Sequence, residues 1–151
     1  MVNTNAGRVA LVTGGSGGIG RASAVRLAAD GFSTVVHHAG GAGSKERAQD
    51  TADAVTRAGG RAVVAAGDVA DEVAMAAVFD LADREFGGLD VVVHTAGIMP
   101  LAPVAQMDLD TFDRVQRTNV RGTFVVGQLA ARRLRSGGAI INVSTSVTRL
   151  Q

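Results

Sequence analysis

The chain has 151 residues, 46% of them hydrophobic, and its 15 basic and 14 acidic side chains leave a formal net charge of +1. That length fits one domain with a sizeable core, and the apolar fraction excludes a disordered chain. Balanced charge gives no electrostatic case for nucleic acid or anionic membrane as a partner, no apolar run approaches membrane-spanning length, and the lack of cysteine excludes disulfides, thiolate nucleophiles and cysteine–zinc sites.

In chain order, Met1-Val2-Asn3-Thr4-Asn5 is polar and is no secretory signal, so a cytoplasmic location is expected. Arg8 to Thr13 reads as a buried strand, and Ile19 to Asp30 as an alanine-rich helix closed by Gly31. Ser33 to His38 is a second strand. Gly40-Gly41-Ala42-Gly43 is a turn, and Ser44 is the expected cap of a helix whose inner face is Ala48, Thr51, Ala52 and Val55. Arg61 to Ala66 is a third strand. Asp71 caps the next helix, with Ala74, Ala77, Val78 and Leu81 as its expected stripe.

Asp90 to His94 is a fourth strand, and its three consecutive valines imply burial on both faces. Pro100 to Pro103 is loop, and Asp108 caps a short helix. A longer helix is expected from about Thr118 to Arg135, ended by Gly137-Gly138. Val120, Phe124, Gly127, Ala131 and Leu134 form one seam on it, and Val125, Val126 and Leu129 a second. Two apolar sides imply two packing partners, the sheet and another subunit. Ala139 to Ser144 is the fifth strand. Alternating strands and helices predict a doubly wound, Rossmann-type parallel α/β/α sheet of order 3-2-1-4-5, with a crevice at the carboxyl ends of the strands beside strand 1.

The chemistry-bearing stretch is Thr13-Gly14-Gly15-Ser16-Gly17-Gly18-Ile19-Gly20. Strand, glycine turn and helix start bring bare backbone N–H groups to an anion, as the diphosphate of a dinucleotide requires. Gly15, Gly17 and Gly20 fit G-x-G-x-x-G. Thr13, Gly14, Gly18, Ile19 and Gly20 fit T-G-x-x-x-G-I-G, the more specific pattern.

That second pattern resembles the short-chain dehydrogenase/reductase family, and the resemblance extends over nearly the whole chain. Gly67-Asp68-Val69 is similar to the family's adenine-binding step after strand 3. His94-Thr95-Ala96-Gly97 is similar to its Asn-Asn-Ala-Gly motif, with the first two residues varied. Asn119 resembles its helix asparagine, and Ile140-Ile141-Asn142-Val143-Ser144 resembles the strand that delivers its catalytic serine. The resemblance implies cofactor contacts at Thr13, Gly14, Ser16, Gly18, Ile19, Gly20, Asp68, Val69, Thr95, Ala96 and Gly97. It implies catalytic roles for Asn119 and for a hydroxyl that Ser144, Thr145 and Ser146 all offer.

Strand 2 ends in His37-His38-Ala39, with no carboxylate to bind the 2′-hydroxyl of NAD. NADP is therefore expected, with NAD possible, and His38, Ser44 and Lys45 are the expected phosphate donors. Adjacent histidines on a strand point to opposite faces, so no metal site is expected. His94 is read as a hydrogen-bonded structural residue.

The family's acid/base is a tyrosine in Tyr-x-x-x-Lys. This chain has no tyrosine, and Lys45 is its one lysine. The expectation is the amino-terminal portion of a longer NADP(H)-dependent oxidoreductase that interconverts a carbonyl and an alcohol of a small molecule, homo-oligomeric at full length and inactive as this piece. A non-catalytic dinucleotide-binding module is the alternative. An S-adenosylmethionine methyltransferase is disfavoured by Ile19-Gly20, Ala96-Gly97 and Asn119.

Overall fold

The computed structural model describes residues 7–145. Five parallel strands lie in the order β3-β2-β1-β4-β5: β1 (Val9–Thr13), β2 (Ser33–His38), β3 (Ala62–Ala66), β4 (Leu89–His94) and β5 (Leu134–Asn142). This is the expected doubly wound order. Alternation along each strand splits the core in two. Val9, Leu11, Val35 and Val92 pack with α3 (Glu72–Phe86) and α5 (Gly122–Arg133), whereas Val12, Val36 and Val93 pack with α1 (Gly18–Ala29) and α2 (Ser44–Arg57).

Helix α1 buries only Gly20, Ala24 and Ala28, so it lies close to the sheet as its small residues predict. Helix α2 buries the expected Ala48, Thr51, Ala52 and Val55. Its cap differs. Gly43, at φ +69°, occupies the N-cap without a side-chain bond, and Ser44 is instead the first helical residue, buried and turned inward. On α3, Asp71 caps as expected, accepting from the N–H groups of Val73 and Ala74. The buried stripe is Met75, Val78, Phe79 and Ala82 rather than the alanine-rich one, and Ala77 is exposed. Both stripes have helical spacing; the observed one buries far more apolar area, which decides the rotation.

The largest departure is near the carboxyl end. Helix α4 (Leu109–Val115), capped by Asp108, runs through a π segment (Gln116–Arg121) straight into α5. Thus Thr118 lies inside a continuous helical run rather than at its start. The run stops at Arg133, and β5 begins at once. Gly137 and Gly138 do not end the helix; they form an irregularity within β5, where Leu89 pairs Leu134 but Val91 pairs Ala139. A side chain at Gly138 would lie 2.7 Å from the Asp90 carbonyl, so the strand can bulge there only around glycine. On α5, Val125, Val126 and Ala130 are buried and Phe124 faces outward, as does Val120 in the π segment.

Candidate functional site

A cleft of about 790 Å3 opens at the carboxyl ends of the strands, as a doubly wound sheet requires. Its lining includes Gly14, Ser16 and Gly17 from the turn after β1, Asp68 and Val69 after β3, and Thr95, Ala96 and Gly97 after β4. Three separate stretches singled out in the sequence therefore meet in one place.

The glycine turn is shaped by two constraints. Gly14 has φ +66° and Gly18 φ +51°, in the left-handed region where a side chain strains the backbone. Gly20 is packing-limited: a Cβ there would lie 2.3 Å from the Gly14 carbonyl oxygen. At Gly17 and Gly18 a Cβ would meet nothing within 4 Å. Helix α1 has no side-chain cap and no acidic residue in its first turn. Its leading N–H groups are thus offered toward the cleft side of the turn, with the positive end of the helix dipole behind them. Gly18, Ile19 and Gly20, expected at the cofactor, are absent from the cleft lining, and the Ile19 side chain is 60% exposed.

Thr13 is fully buried and knots the ends of β1 and β4 together. Its hydroxyl accepts from the N–H groups of Thr95 (3.2 Å) and Ala96 (3.3 Å), and the Thr95 hydroxyl donates to the Thr13 carbonyl (2.6 Å). Beyond Thr13 lies His94, with Nδ1 2.8 Å from Thr13 Oγ1 and Nε2 3.1 Å from Thr123 Oγ1. The Thr123 hydroxyl donates to the Asn119 carbonyl at 2.6 Å, so it must accept from His94 Nε2–H. Nδ1 is then an acceptor and Thr13 donates to it. Burial lowers the His94 pKa, in keeping with this neutral tautomer. His94 is a structural residue, bonded on both ring nitrogens.

Asn119 does not line the cleft. Its Oδ1 accepts from the Ile98 N–H (2.9 Å) and its Nδ2 donates to the Ile98 carbonyl (2.7 Å). The π segment so clasps the loop after β4, and Ile98 itself lines the cleft.

The two strand-end histidines divide differently from expectation. His38, expected at the cofactor, is 4% exposed and absent from the cleft lining; its Nδ1 lies 2.9 Å from Ser44 Oγ and accepts from the Gly40 N–H at 3.1 Å. Strand alternation turns it toward α2. His37 lines the cleft instead. Its Nε2–H donates to the Gly67 carbonyl at 2.8 Å, and burial pushes its pKa down to about 4, so the ring is neutral at pH 7.

Asp68 sits on the cleft wall with Oδ1 accepting from the Ala70 N–H at 2.9 Å. Its Oδ2 takes both Nε (3.2 Å) and Nη2 (2.8 Å) of Arg117 from the π segment. Partial burial disfavours its charge, but the Ala70 N–H, Arg117 and Arg121 outweigh that and hold the carboxyl below its ordinary range. Lone-pair capacity remains on Oδ1 for one further donor.

Ser144 and Thr145 are exposed beyond β5, at the same end of the sheet as Thr13 and His94. Ser146 lies outside the described residues. The cleft also contains residues that the sequence reading did not single out: Arg47, Arg114, Arg117, Thr118 and Ile98. Arg47 stands three residues after Ser44, one helical turn on, which is a usable signal; Arg114 and Arg117 carry none without the tertiary structure. Three arginines against one aspartate make the cleft cationic.

Comparison with known proteins agrees with this geometry. Residues 8–151 match the family described as short chain dehydrogenase. The chain is 39% identical over 142 residues to an uncharacterized oxidoreductase of Methylorubrum extorquens, covering 94% of this chain and 56% of that one. It is 41% identical over 145 residues to the versicolorin reductase of Emericella nidulans, covering 96% and 54%. Among solved structures, a short chain dehydrogenase from Burkholderia cenocepacia in complex with NADP superposes with TM-score 0.87 at 40% identity, covering 97% of this chain and 59% of that one. The chain thus spans just over half the length of these relatives. The glycine turn, the cleft it opens on and the match over nearly every residue together establish that the chain belongs to the short-chain dehydrogenase/reductase family of oxidoreductases.

Proposed function

We propose that these residues form a single NADP(H)-binding Rossmann domain, the cofactor-holding part of a cytoplasmic reductase or dehydrogenase that interconverts a carbonyl and an alcohol of a small molecule. The observation that carries the reading is the convergence of the uncapped α1 start, Asp68-Val69 and Thr95-Ala96-Gly97 on one cationic cleft. The cradle has room for a diphosphate where Gly17 and Gly18 lack side chains.

In this reading the leading α1 amides hold the diphosphate, Ser16 adds a hydroxyl, and Asp68 Oδ1 accepts from the adenine amino group. Val69 forms the apolar wall beside the base. Ala96 and Gly97 leave space for the nicotinamide ribose, and Asn119 fixes that loop through Ile98. When bound, the nicotinamide supplies or takes the hydride. One hydroxyl among Ser144, Thr145 and Ser146 polarises the substrate carbonyl. NADP is favoured over NAD because β2 ends without a carboxylate and the cleft carries three arginines.

The 151 residues contain no tyrosine, so the proton donor that the family resemblance implies is not among them. Cofactor binding without turnover is therefore the activity proposed for this chain, and the same observation is what favours the alternative, a non-catalytic dinucleotide-binding module. The outward Phe112, Val120 and Phe124 support homo-oligomerisation of the full reductase. The test is NADPH fluorescence. Its emission should change on adding the chain, and the change should vanish in Gly18→Val, whose fold is checked by circular dichroism. No change with the wild-type chain would refute the site, and carbonyl reduction by the chain would refute the absence of turnover.

A further inference from the structure

We infer that Arg117, on the π segment, is a positioning residue: it fixes the Asp68 carboxylate so that the cleft takes a purine bearing an exocyclic amino group over one bearing a carbonyl at that position. The inference rests on the dinucleotide reading above. Within it, the inference assigns the group that aims Asp68 rather than the contact Asp68 makes. Arg117 grips one oxygen of the carboxylate twice, with Nε 3.2 Å and Nη2 2.8 Å from Oδ2. A carboxylate oxygen has two lone pairs, so Oδ2 is saturated. Oδ1 accepts from the Ala70 N–H at 2.9 Å and keeps one lone pair open. Among the described residues no other donor reaches the carboxylate. Asp68 therefore presents a single acceptor site on a defined oxygen.

With the Ala70 N–H alone, the carboxylate could turn about its Cβ–Cγ bond, exchange its oxygens and offer its other lone pairs to water. Arg117 removes that freedom, because two N–H groups of one rigid guanidinium hold one oxygen. Arg121, four positions on, reaches the same stretch of chain differently. Its Nε donates to the Ala70 carbonyl at 2.9 Å, and its Nη2 pairs with Glu72 at 3.5 Å. Of the two arginines, then, Arg117 is the one that touches the carboxylate. The pair is half exposed, 52% for the Arg117 side chain and 46% for that of Asp68. An ion pair so open to water and salt adds little to stability, so its consequence is orientation. Arg117 and Asp68 both line the cleft, and the orientation they share is the one an incoming base meets.

An ionised carboxylate accepts and does not donate. Against the open Oδ1 site, adenine sets the N–H of its amino group. Hypoxanthine sets a carbonyl oxygen there, and two acceptors face each other with no proton between them. A carboxylate free to turn escapes that conflict by swinging to the ring N–H that hypoxanthine carries next to its carbonyl. A carboxylate held by Arg117 cannot follow. The fixation is thus what turns one hydrogen bond into a discrimination between two purines. Arg117 also adds positive charge that draws the phosphate of any nucleotide. That attraction is common to both bases and cancels in the ratio of their affinities.

The test titrates 5′-AMP and 5′-IMP, which carry the amino group and the carbonyl respectively, calorimetrically into the chain and its variants. The wild-type chain should bind 5′-AMP about tenfold more tightly than 5′-IMP. R117M keeps an apolar stem and removes every donor, and its two affinities should agree within about twofold. R117K should fall between, since an ammonium is a point charge that does not fix the carboxylate plane. R121M should keep the full preference. Adding R117M to D68A should leave the D68A ratio unchanged, as a residue acting through Asp68 requires. A wild-type ratio in R117M or R117K, a preference lost in R121M, or a further change of ratio in the D68A background would overturn the role of Arg117 and leave the nucleotide site standing. Equal binding of both probes by the wild-type chain would overturn it as well. Failure of the wild-type chain to bind either probe would instead overturn the dinucleotide reading, and the inference with it.

Discussion

Gly20→Ala isolates the packing that shapes the phosphate turn. In an exposed helix interior this substitution stabilises by about 1 kcal/mol, because alanine loses less backbone freedom than glycine. Here the new methyl would lie 2.3 Å from the Gly14 carbonyl oxygen, 2.8 Å from the Gly14 carbonyl carbon and 2.7 Å from Thr95 Oγ1. That is about 1 Å inside normal contact. The main obstacle is backbone, so no rotamer change relieves it. Thr95 Oγ1 is itself held by the Thr13 carbonyl at 2.6 Å. Helix α1 must therefore move off the turn, at a cost near the top of the range for overpacking, about 3 kcal/mol. The net destabilisation is about 2 kcal/mol after the helical gain, or about 1 M in urea midpoint. Gly17→Ala is the control: φ is 178°, ordinary extended backbone, and a Cβ meets nothing within 4 Å. It should unfold with the wild type. Urea denaturation followed by circular dichroism measures both, and a Gly20→Ala midpoint equal to or above wild type would refute the close approach of α1 to the turn.

Two further outcomes follow from the buried polar groups. His37 holds a pKa of about 4 against an ordinary 6.5, so the unfolded chain takes a proton that the folded chain refuses. Stability is then fully present above pH 6.5 and falls as pH drops toward 4, by about 3 kcal/mol in order of magnitude. His94 shifts in the same direction. Urea midpoints measured from pH 7.5 to 4.5 check this, and a flat profile would show that the neutral imidazoles are not sealed as described. Asn119→Ala should cost about 2 kcal/mol, because it strips both bonds from Ile98. Asn119→Asp should cost at least as much, since it keeps the acceptor for the Ile98 N–H but sets a carboxylate oxygen against the Ile98 carbonyl with no donor between them; equal stability of both variants with wild type would remove the clasp.

Much of this architecture was legible along the chain, and its misreadings have physical causes. The small inner face of α1 was readable because Gly20, Ala24 and Ala28 recur at helical spacing. The α3 stripe was misjudged because alanines offer the same period at two rotations, and only the sheet beneath selects Met75 and Phe79 for burial. The helix end was misplaced because Gly137-Gly138 reads as a stop; the strand instead pairs through Leu134 and bulges at those glycines beside Asp90. The π segment left no mark in apolar spacing, since one extra residue per turn is invisible against a period of 3.6.

The sequence by itself determined the order of strands and helices, the glycine turn and the family motifs. Each of these depends on local backbone freedom or on a short apolar period, and both are written in neighbouring residues. Only the tertiary structure decided which histidine faces the cleft, that Asp68 pairs with Arg117 forty-nine positions away, that His94 is bonded on both ring nitrogens, and that Arg47 reaches the β2 wall. Those facts depend on where separate elements meet. A side chain's partner across a fold is set by packing of the layers, which no local stretch of chain encodes.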